Sequence, residues 1–245
     1  MIALPLFAAC TLSAHDADDA TRRAVAHLDY VAGDYAGAVK KGRVVDAHEY
    51  EEALELLAET KALAAESATP AAVRAVEAVA VAVEAKAPAA EVKRLVADAR
   101  GFLLAKADIA PPEGLSKARA AATFAARCAG CHGADGAPGT AAATLDPPPR
   151  DFRDPAVMDA FTPLRAYSAI TDGLEGTAMS AFPDLSEAER WELAFWVVGL
   201  RHGEGVAPAE PLTAEKLADA SDAALRARYT TDALAWLRRE APYGP

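Results

Sequence analysis

Two cysteines and a histidine stand close together near the middle of the sequence. In the segment Cys128-Ala129-Gly130-Cys131-His132, two residues separate the cysteines and the histidine follows directly. With this spacing, two thiols can form thioether bonds to one porphyrin edge while the adjacent imidazole is directed at the iron. The alternative, half of a zinc site, lacks the second cysteine pair or close histidine pair that would complete four ligands. One motif therefore predicts one covalently bound haem c, with His132 as an axial ligand.

The second axial ligand has to come from the remaining methionines and histidines. Met179 lies in the segment 176–182, a loop of small residues in which the backbone can approach a flat cofactor closely. Met158 falls in a short polar turn, and His202 follows the last helix predicted in this region. Met179 is favoured, with Met158 and His202 as the alternatives. A thioether ligand would raise the reduction potential relative to two histidines.

The other ring nitrogen of His132 needs a partner that fixes the imidazole. A rigid loop containing Pro147, Pro148 and Pro149 follows the motif closely. One of its carbonyl groups is the expected acceptor. The alternative is that this loop only separates two helices.

Helix-length segments separated by helix breakers fill the first half of the sequence. The predicted helices cover residues 21–40, 46–66, 70–86 and 88–106. Asp46 and Glu49 have the spacing of a capping box, and Pro70 and Pro88 suit a first helical turn. Since the connections are short, the pattern favours an up-and-down bundle.

The segment Ala110-Pro111-Pro112-Glu113-Gly114 interrupts helical continuity and indicates a domain boundary. A second helix-rich unit follows, and its last helix is predicted to begin at Ser186 with Glu189 as the reciprocal cap. A further helical pattern covers 223–240. The predicted organisation is a bundle domain over 15–108, a linker over 109–114, a haem domain over 115–205 and a helical tail over 206–245.

Residues 115–201 resemble the small cytochromes c that have methionine and histidine ligands (class I). The matching features are Phe124 before the motif, Gly133 after it, the proline loop, the segment Gly176-Thr177-Ala178-Met179 and the last helix ending in 195–200. The resemblance implies an all-α cytochrome c domain whose first and last helices cross, with Phe124 and Trp196 at their contact. Ser180 stands where that family commonly has a proline, a departure that leaves the ligand in place.

Most of the chain is similar to a narrower group, the haem-containing periplasmic extension of some bacterial high-affinity iron permeases. The similar segments are 27–35, Val39, 49–55, 185–187 and 190–195. The resemblance implies a periplasmic carrier of single electrons, coupled to oxidation and uptake of ferrous iron by a permease of the inner membrane. The chain would be a partner subunit or a shortened fusion. Candidate residues that present iron are Asp29, Asp34, Glu49 and Glu52, because oxygen ligands suit ferric iron. The alternative for these acids is a solvated helix face.

Composition and charge limit the remaining possibilities. A chain of 245 residues suits two domains, and a net charge of −11 argues against a nucleic-acid partner. No stretch reaches the roughly 18 to 20 apolar residues of a membrane-spanning helix. The sequence has no catalytic triad, phosphate loop or flavin fingerprint, so an electron-transfer protein is predicted rather than an enzyme. The alternatives are a general respiratory carrier, the haem subunit of a periplasmic dehydrogenase and, less compatibly with two axial ligands, a haem-based sensor.

The first fourteen residues resemble an export signal. Met1 to Leu12 carries no charge, and Ala14 is a small residue just before an acidic run. This pattern predicts a signal over 1–14 that lacks a basic start, the alternative being a hydrophobic first helix. Cys10 stands in an imperfect lipoprotein sequence, so a lipid at Cys10 is one route to the membrane and a permease is the other.

Overall fold

The computed structural model describes residues 14–67, 69–140 and 142–244, and it is mostly helical. The predicted all-α fold is confirmed. In these ranges the only β structure is one antiparallel pair of two-residue strands. The chain forms two compact units, Met1–Ile109 and Ala110–Pro245. The predicted export signal lies outside the described residues apart from Ala14, and so does Cys10.

The described residues of the first unit form four helices. Its elements are α1 (Ala14–Ala38), β1 (Val39–Lys40), β2 (Arg43–Val44), α2 (Ala47–Ser67), α3 (Pro70–Glu84) and α4 (Ala89–Leu104). Each helix packs against the next one in sequence, and α1 also packs against α4, which closes an up-and-down bundle. Each predicted helical segment overlaps one of these helices. The first helix begins earlier than predicted, at Ala14, and ends at Ala38 because the chain turns into the β1–β2 hairpin.

Local signals explain where these helices begin. The Asp46 carboxylate accepts hydrogen bonds from the backbone N–H groups of His48 and Glu49, at 3.1 and 3.3 Å. The Thr69 hydroxyl accepts one from Ala72 N–H at 3.3 Å, and Pro70 follows in the first turn. Both contacts satisfy backbone donors that a helix start leaves without partners inside the helix.

The second unit consists of shorter helices. They are α5 (Lys117–Arg127), α6 (Ala129–His132), α7 (Pro155–Met158), α8 (Pro163–Asp172), α9 (Glu187–Gly199), α10 (Ala214–Ala218), α11 (Asp222–Arg226) and α12 (Thr231–Arg239), with 3-10 turns at Ala142–Thr144 and Ala241–Tyr243. Helix α9 is central because α5, α8 and α12 all pack against it. Its side chains Trp191, Leu193, Phe195 and Val198 are buried.

Helix α9 begins as the sequence predicts. Ser186 N–H donates to the Glu189 carboxylate at 2.9 Å, and Glu189 N–H donates to the Ser186 hydroxyl at 3.3 Å, which completes the capping box. The contact between α5 and α9 agrees with the crossing helices implied by the cytochrome resemblance. Phe124 is buried in this unit, whereas Trp196 is half-buried.

The segment 206–244 packs on the cytochrome-like helices as part of the second unit. Glu240 forms an ion pair with Lys117 at the start of α5, and the Tyr243 hydroxyl donates to the backbone carbonyl of Glu192 in α9 at 3.2 Å. The helical pattern over 223–240 is interrupted after α11. A new helix, α12, begins where the Thr230 hydroxyl accepts a hydrogen bond from Ala233 N–H at 3.3 Å.

Candidate functional site

The end of α5 places both cysteines and the histidine on one short helical turn. Cys128 ends α5, with its N–H donating to Phe124 C=O at 2.9 Å. The Cys128 carbonyl then accepts the N–H groups of Cys131 and His132, at 3.2 and 3.0 Å, which starts α6. Gly133 ends the turn with φ of +75°, and a Cβ there would lie 1.9 Å from Ala137 O. Only glycine fits this exit from the motif.

The two thiols are not joined in a disulfide. Cys128 is half-buried and Cys131 is exposed. Burial raises the pKa of the Cys128 thiol to about 11, and the Arg127 charge only partly opposes this effect. Because the thiolate is the reactive form of cysteine, Cys128 resists oxidation at neutral pH. Two separate thiols at this spacing fit the two thioether bonds of a haem c.

His132 is held by an aromatic ring. The rings of His132 and Phe152 stack with centroids 4.5 Å apart and planes inclined by 16°. Phe152 is fixed in turn by its N–H, which donates to Gly136 C=O at 2.8 Å. Burial lowers the pKa of His132, so the imidazole is neutral at physiological pH.

The predicted bond from His132 to the proline loop is not formed. Nδ1 of His132 is buried and has no hydrogen-bond partner among the residues that the structure describes. The chain that follows Pro149 brings the ring of Phe152, rather than a carbonyl group, against the imidazole. Leaving a buried polar atom without a partner costs about 1–3 kcal/mol. A neutral imidazole whose Nδ1 faces the protein can bind haem iron through its other ring nitrogen, Nε2, so this residue fits the group that the motif implies.

Met179 lies in a closed loop between α8 and α9. Leu174 N–H donates to Met179 C=O at 2.9 Å, and Met179 N–H donates to the Thr177 hydroxyl at 3.0 Å. Gly173 ends α8 with φ of +76°, and a Cβ there would lie 2.8 Å from Met179 O. The Met179 side chain is half-buried. The backbone of this residue is thus fixed on both sides.

The two alternative ligands lie in different surroundings. Met158 ends α7 with its side chain 1% exposed, in the core of the unit. The Nε2 atom of His202 lies 2.7 Å from an Asp222 carboxylate oxygen. His202 is therefore engaged in an ion-pair cluster.

Arg127 connects the cysteine turn to the segment that follows Met179. Its guanidinium donates two hydrogen bonds to the Asp184 carboxylate, at 2.7 and 3.1 Å, and lies 5.4 Å from the centroid of the Phe182 ring. The hydrogen bond and charge of Arg127 lower the pKa of Asp184. Exposed pairs of this kind add little to stability, so the main effect of the contact is on geometry. It brings the residue before Cys128 against the residues just after Met179.

The four acidic residues proposed to present iron have two kinds of surroundings. Burial raises the pKa of Glu49, and the negative charges of Asp34 and Glu52 raise it further, which places these three carboxylates in one electrostatic neighbourhood. Asp29 instead forms an ion pair with Arg100, and both side chains are largely buried. A carboxylate neutralised in this way attracts a cation weakly, so the structure does not support Asp29 as a residue that presents iron. The described residues contain no group of three or more His, Cys, Asp or Glu side chains that could hold a metal ion.

Three contacts of this site went unpredicted. The pair Arg127–Asp184 joins residues 57 positions apart, for which the sequence has no local signal. Phe152 closely follows the proline loop, and the sequence shows this aromatic residue as a candidate to pack on His132. The position of Thr177 two residues before Met179 is typical of a hydroxyl that caps a turn, and this signal could have been read.

Comparison with known proteins gives one match. Residues 116–197 match the family model described as Cytochrome C oxidase, cbb3-type, subunit III. No curated protein and no solved structure matches the chain. Within the described residues, every helix is too short or too polar to cross a membrane. The matched segment includes the motif Cys128 to His132, the Met179 loop and most of α9, and it supports a cytochrome c domain in the second unit.

Proposed function

We propose that the protein is a c-type cytochrome with a single haem that carries one electron at a time. The observation that carries this proposal is the turn from Cys128 to His132. It presents two separate thiols and a neutral imidazole stacked on Phe152, in a segment that matches a cytochrome c family model. In the proposal Cys128 and Cys131 form the thioether bonds, and His132 and Met179 are the axial ligands. The bound haem supplies a one-electron change between ferric and ferrous iron.

Other residues of the chain hold the two proposed iron ligands in place. Phe152 packs on His132 and limits rotation of the imidazole, while the Met179 loop fixes the backbone of the second ligand. Burial keeps His132 neutral, so its ring can donate a lone pair without first losing a proton. Since a thioether favours ferrous iron, the arrangement suits an acceptor of relatively high potential.

The choice of sixth ligand is tested by replacing each methionine with alanine. We expect Met179→Ala to remove the weak long-wavelength charge-transfer band of ferric haem with a thioether ligand and to lower the reduction potential. Met158→Ala should keep the band and the potential but destabilise the second unit by about 2–5 kcal/mol, because it empties a core position. Optical spectra and redox titration of the two variants provide the measurement. Loss of the band in Met158→Ala alone would assign the ligand to Met158.

The proposal also covers the location of the protein and its partners. Cytochrome c domains are typically extracytoplasmic, which supports a periplasmic location. The net charge of −11 suits partners with basic surfaces or metal cations. We propose that the electron comes from ferrous iron and that the protein acts beside an iron permease. The general respiratory carrier or dehydrogenase subunit is the alternative.

Support for the link to iron comes from the carboxylates Asp34, Glu49 and Glu52. Their mutual repulsion, which contributes to the raised pKa of Glu49, is a field that attracts cations. Because the described residues hold no ready-made metal site, the proposed role is transient attraction of Fe²⁺. Oxidation of one Fe²⁺ to Fe³⁺ releases the one electron that reduces the ferric haem.

A charge-matched comparison tests this role. We expect the triple variant Asp34→Asn, Glu49→Gln, Glu52→Gln to slow reduction of the ferric haem by ferrous iron at least about threefold at low salt. Added salt should slow the unaltered protein toward the same rate, since the Debye length falls to about 8 Å at physiological ionic strength. Stopped-flow absorbance measures both rates.

The control replaces three exposed acids elsewhere in the bundle, Glu55, Glu77 and Glu91, with glutamine. It changes the net charge by the same amount and should leave the rate nearly unchanged. Equal slowing in both triple variants would show a net-charge effect alone. No slowing in either would remove the proposed role of Asp34, Glu49 and Glu52 in attracting iron and leave the bundle as a docking module.

A further inference from the structure

A single hydroxyl group joins the two sides of the Met179 loop. Oγ1 of Thr177 accepts the hydrogen bond from Met179 N–H at 3.0 Å and donates one to Leu174 C=O at 2.8 Å. The backbone N–H of Thr177 also donates to Leu174 C=O, at 3.2 Å. Together with the bond from Leu174 N–H to Met179 C=O, these contacts close the loop from 174 to 179. The hydroxyl is the side-chain component of that closure.

Few other forces determine the shape of this loop. Leu174 is 41% exposed, and Glu175, Gly176, Ala178 and Ser180 are also exposed. Burial of apolar surface therefore contributes little within the loop, and no proline restricts the backbone between Gly173 and Phe182. A segment with few buried contacts opens readily, so its hydrogen bonds decide which conformation is populated.

The neighbouring backbone makes the position of Met179 sensitive to this loop. The carbonyl oxygen of Met179 lies so near Gly173 that it would be only 2.8 Å from a Cβ atom placed on residue 173. After Met179, Phe182 N–H donates to Ile170 C=O at 3.0 Å and attaches the chain to α8 again. Between these two attachments to α8, the Thr177 hydroxyl is the side-chain group bound to the backbone N–H of Met179.

We infer that Thr177 is a positioning residue for Met179: its hydroxyl holds the backbone of Met179 so that the thioether sulfur stays at the haem iron. The inference rests on the proposed function. Without the hydroxyl the loop opens more often, and an external ligand takes the coordination position of the sulfur more easily.

Competition with imidazole tests this role in the intact protein with haem attached. We compare Thr177→Val, which keeps the branched shape but loses the hydroxyl, with Thr177→Ser, which keeps the hydroxyl. Imidazole is titrated into the ferric protein, and the loss of the charge-transfer band of the thioether ligand reports displacement of Met179. Two lost hydrogen bonds of about 1 kcal/mol each predict displacement by Thr177→Val at a roughly thirtyfold lower imidazole concentration. Thr177→Ser should stay within about threefold of the unaltered protein.

Thr171→Val is the matched control. The Thr171 hydroxyl donates to Tyr167 C=O at 2.7 Å inside α8, so this variant loses a hydroxyl of the same kind away from the loop. Its imidazole affinity should match that of the unaltered protein. Thermal unfolding is measured in parallel, because a purely structural role of Thr177 would lower the unfolding midpoint without changing the imidazole titration.

The outcomes separate this inference from the proposed function. An unchanged titration in Thr177→Val, or an equal shift in Thr171→Val, would overturn the positioning role while leaving Met179 as ligand. Absence of the band from the unaltered protein, or its survival in Met179→Ala, would instead remove Met179 as the proposed ligand.

Discussion

Replacing Cys128 and Cys131 together with alanine is expected to give a protein without covalently bound haem. The two thiols lie on one helical turn and are not joined to each other, so both can form thioether bonds. Extraction of the denatured unaltered protein with acid acetone should leave the haem attached, whereas the double variant should release all of it. Absorbance of the extracted pellet and a haem-dependent peroxidase stain measure the difference.

The single variants Cys128→Ala and Cys131→Ala serve as graded controls. Each keeps one thiol and should keep the haem through one thioether bond. If acid acetone removed the haem from the unaltered protein, covalent attachment at this motif would be excluded.

Replacing Asp222 with asparagine is expected to destabilise the second unit by about 3–5 kcal/mol. The carboxylate is fully buried, accepts a hydrogen bond from Arg238 Nε at 2.6 Å and also pairs with Arg201 and His202. Arg238 is only 2% exposed, so the substitution would leave its charge buried without a counter-ion. Removing one partner of such a cluster costs more than the pair contributes, because an uncompensated charge stays behind.

Denaturant unfolding followed by tryptophan fluorescence measures this loss. All three tryptophans, Trp191, Trp196 and Trp236, belong to the second unit, so the signal reports on that unit. Asp151→Asn is the control: Asp151 is 41% exposed, and the substitution should change stability little. Equal stability of Asp222→Asn and the unaltered protein would mean that the buried cluster contributes no net stability.

The same cluster predicts a dependence of stability on pH. Burial alone raises the pKa of Asp222, but the hydrogen bond with His202 and the charge of Arg238 outweigh it and leave the pKa well below the ordinary value. A carboxyl group with a depressed pKa in the folded state adds stability above its unfolded pKa of about 3.9. That stability is lost as the pH falls below this value. The acid side of the stability profile should therefore be flatter in Asp222→Asn.

Local sequence signals predicted much of the fold. The capping residues Asp46 and Ser186 act on backbone groups two or three positions away, so a sequence window contains both partners. The packing of 206–244 on α9 had no such signal. It depends on contacts such as that of Tyr243 with Glu192, which join residues 51 positions apart.

In the candidate site, too, local patterns are visible in the sequence, whereas contacts between residues far apart in the chain are not. The spacing of Cys128, Cys131 and His132 and the small residues around Met179 indicate the candidate segments from the sequence alone. The surroundings of their side chains depend on where the chain returns in space. Phe152 rather than a proline carbonyl meets His132, and Arg100, which is 71 positions from Asp29, neutralises that carboxylate. A sequence shows that a carboxylate is present but not which distant cation it meets.

The attachment of residues 231–243 to α5 and α9 affects the order in which the protein folds. Helices of the first unit pack on neighbours along the chain, an arrangement of local contacts that is typical of rapid folding. The second unit joins Lys117 to Glu240, 123 positions later, and cannot complete its core before α12 packs on α9. Until then Cys128 and Cys131 belong to a partly folded unit, whereas the bundle that precedes them depends on contacts between neighbouring helices.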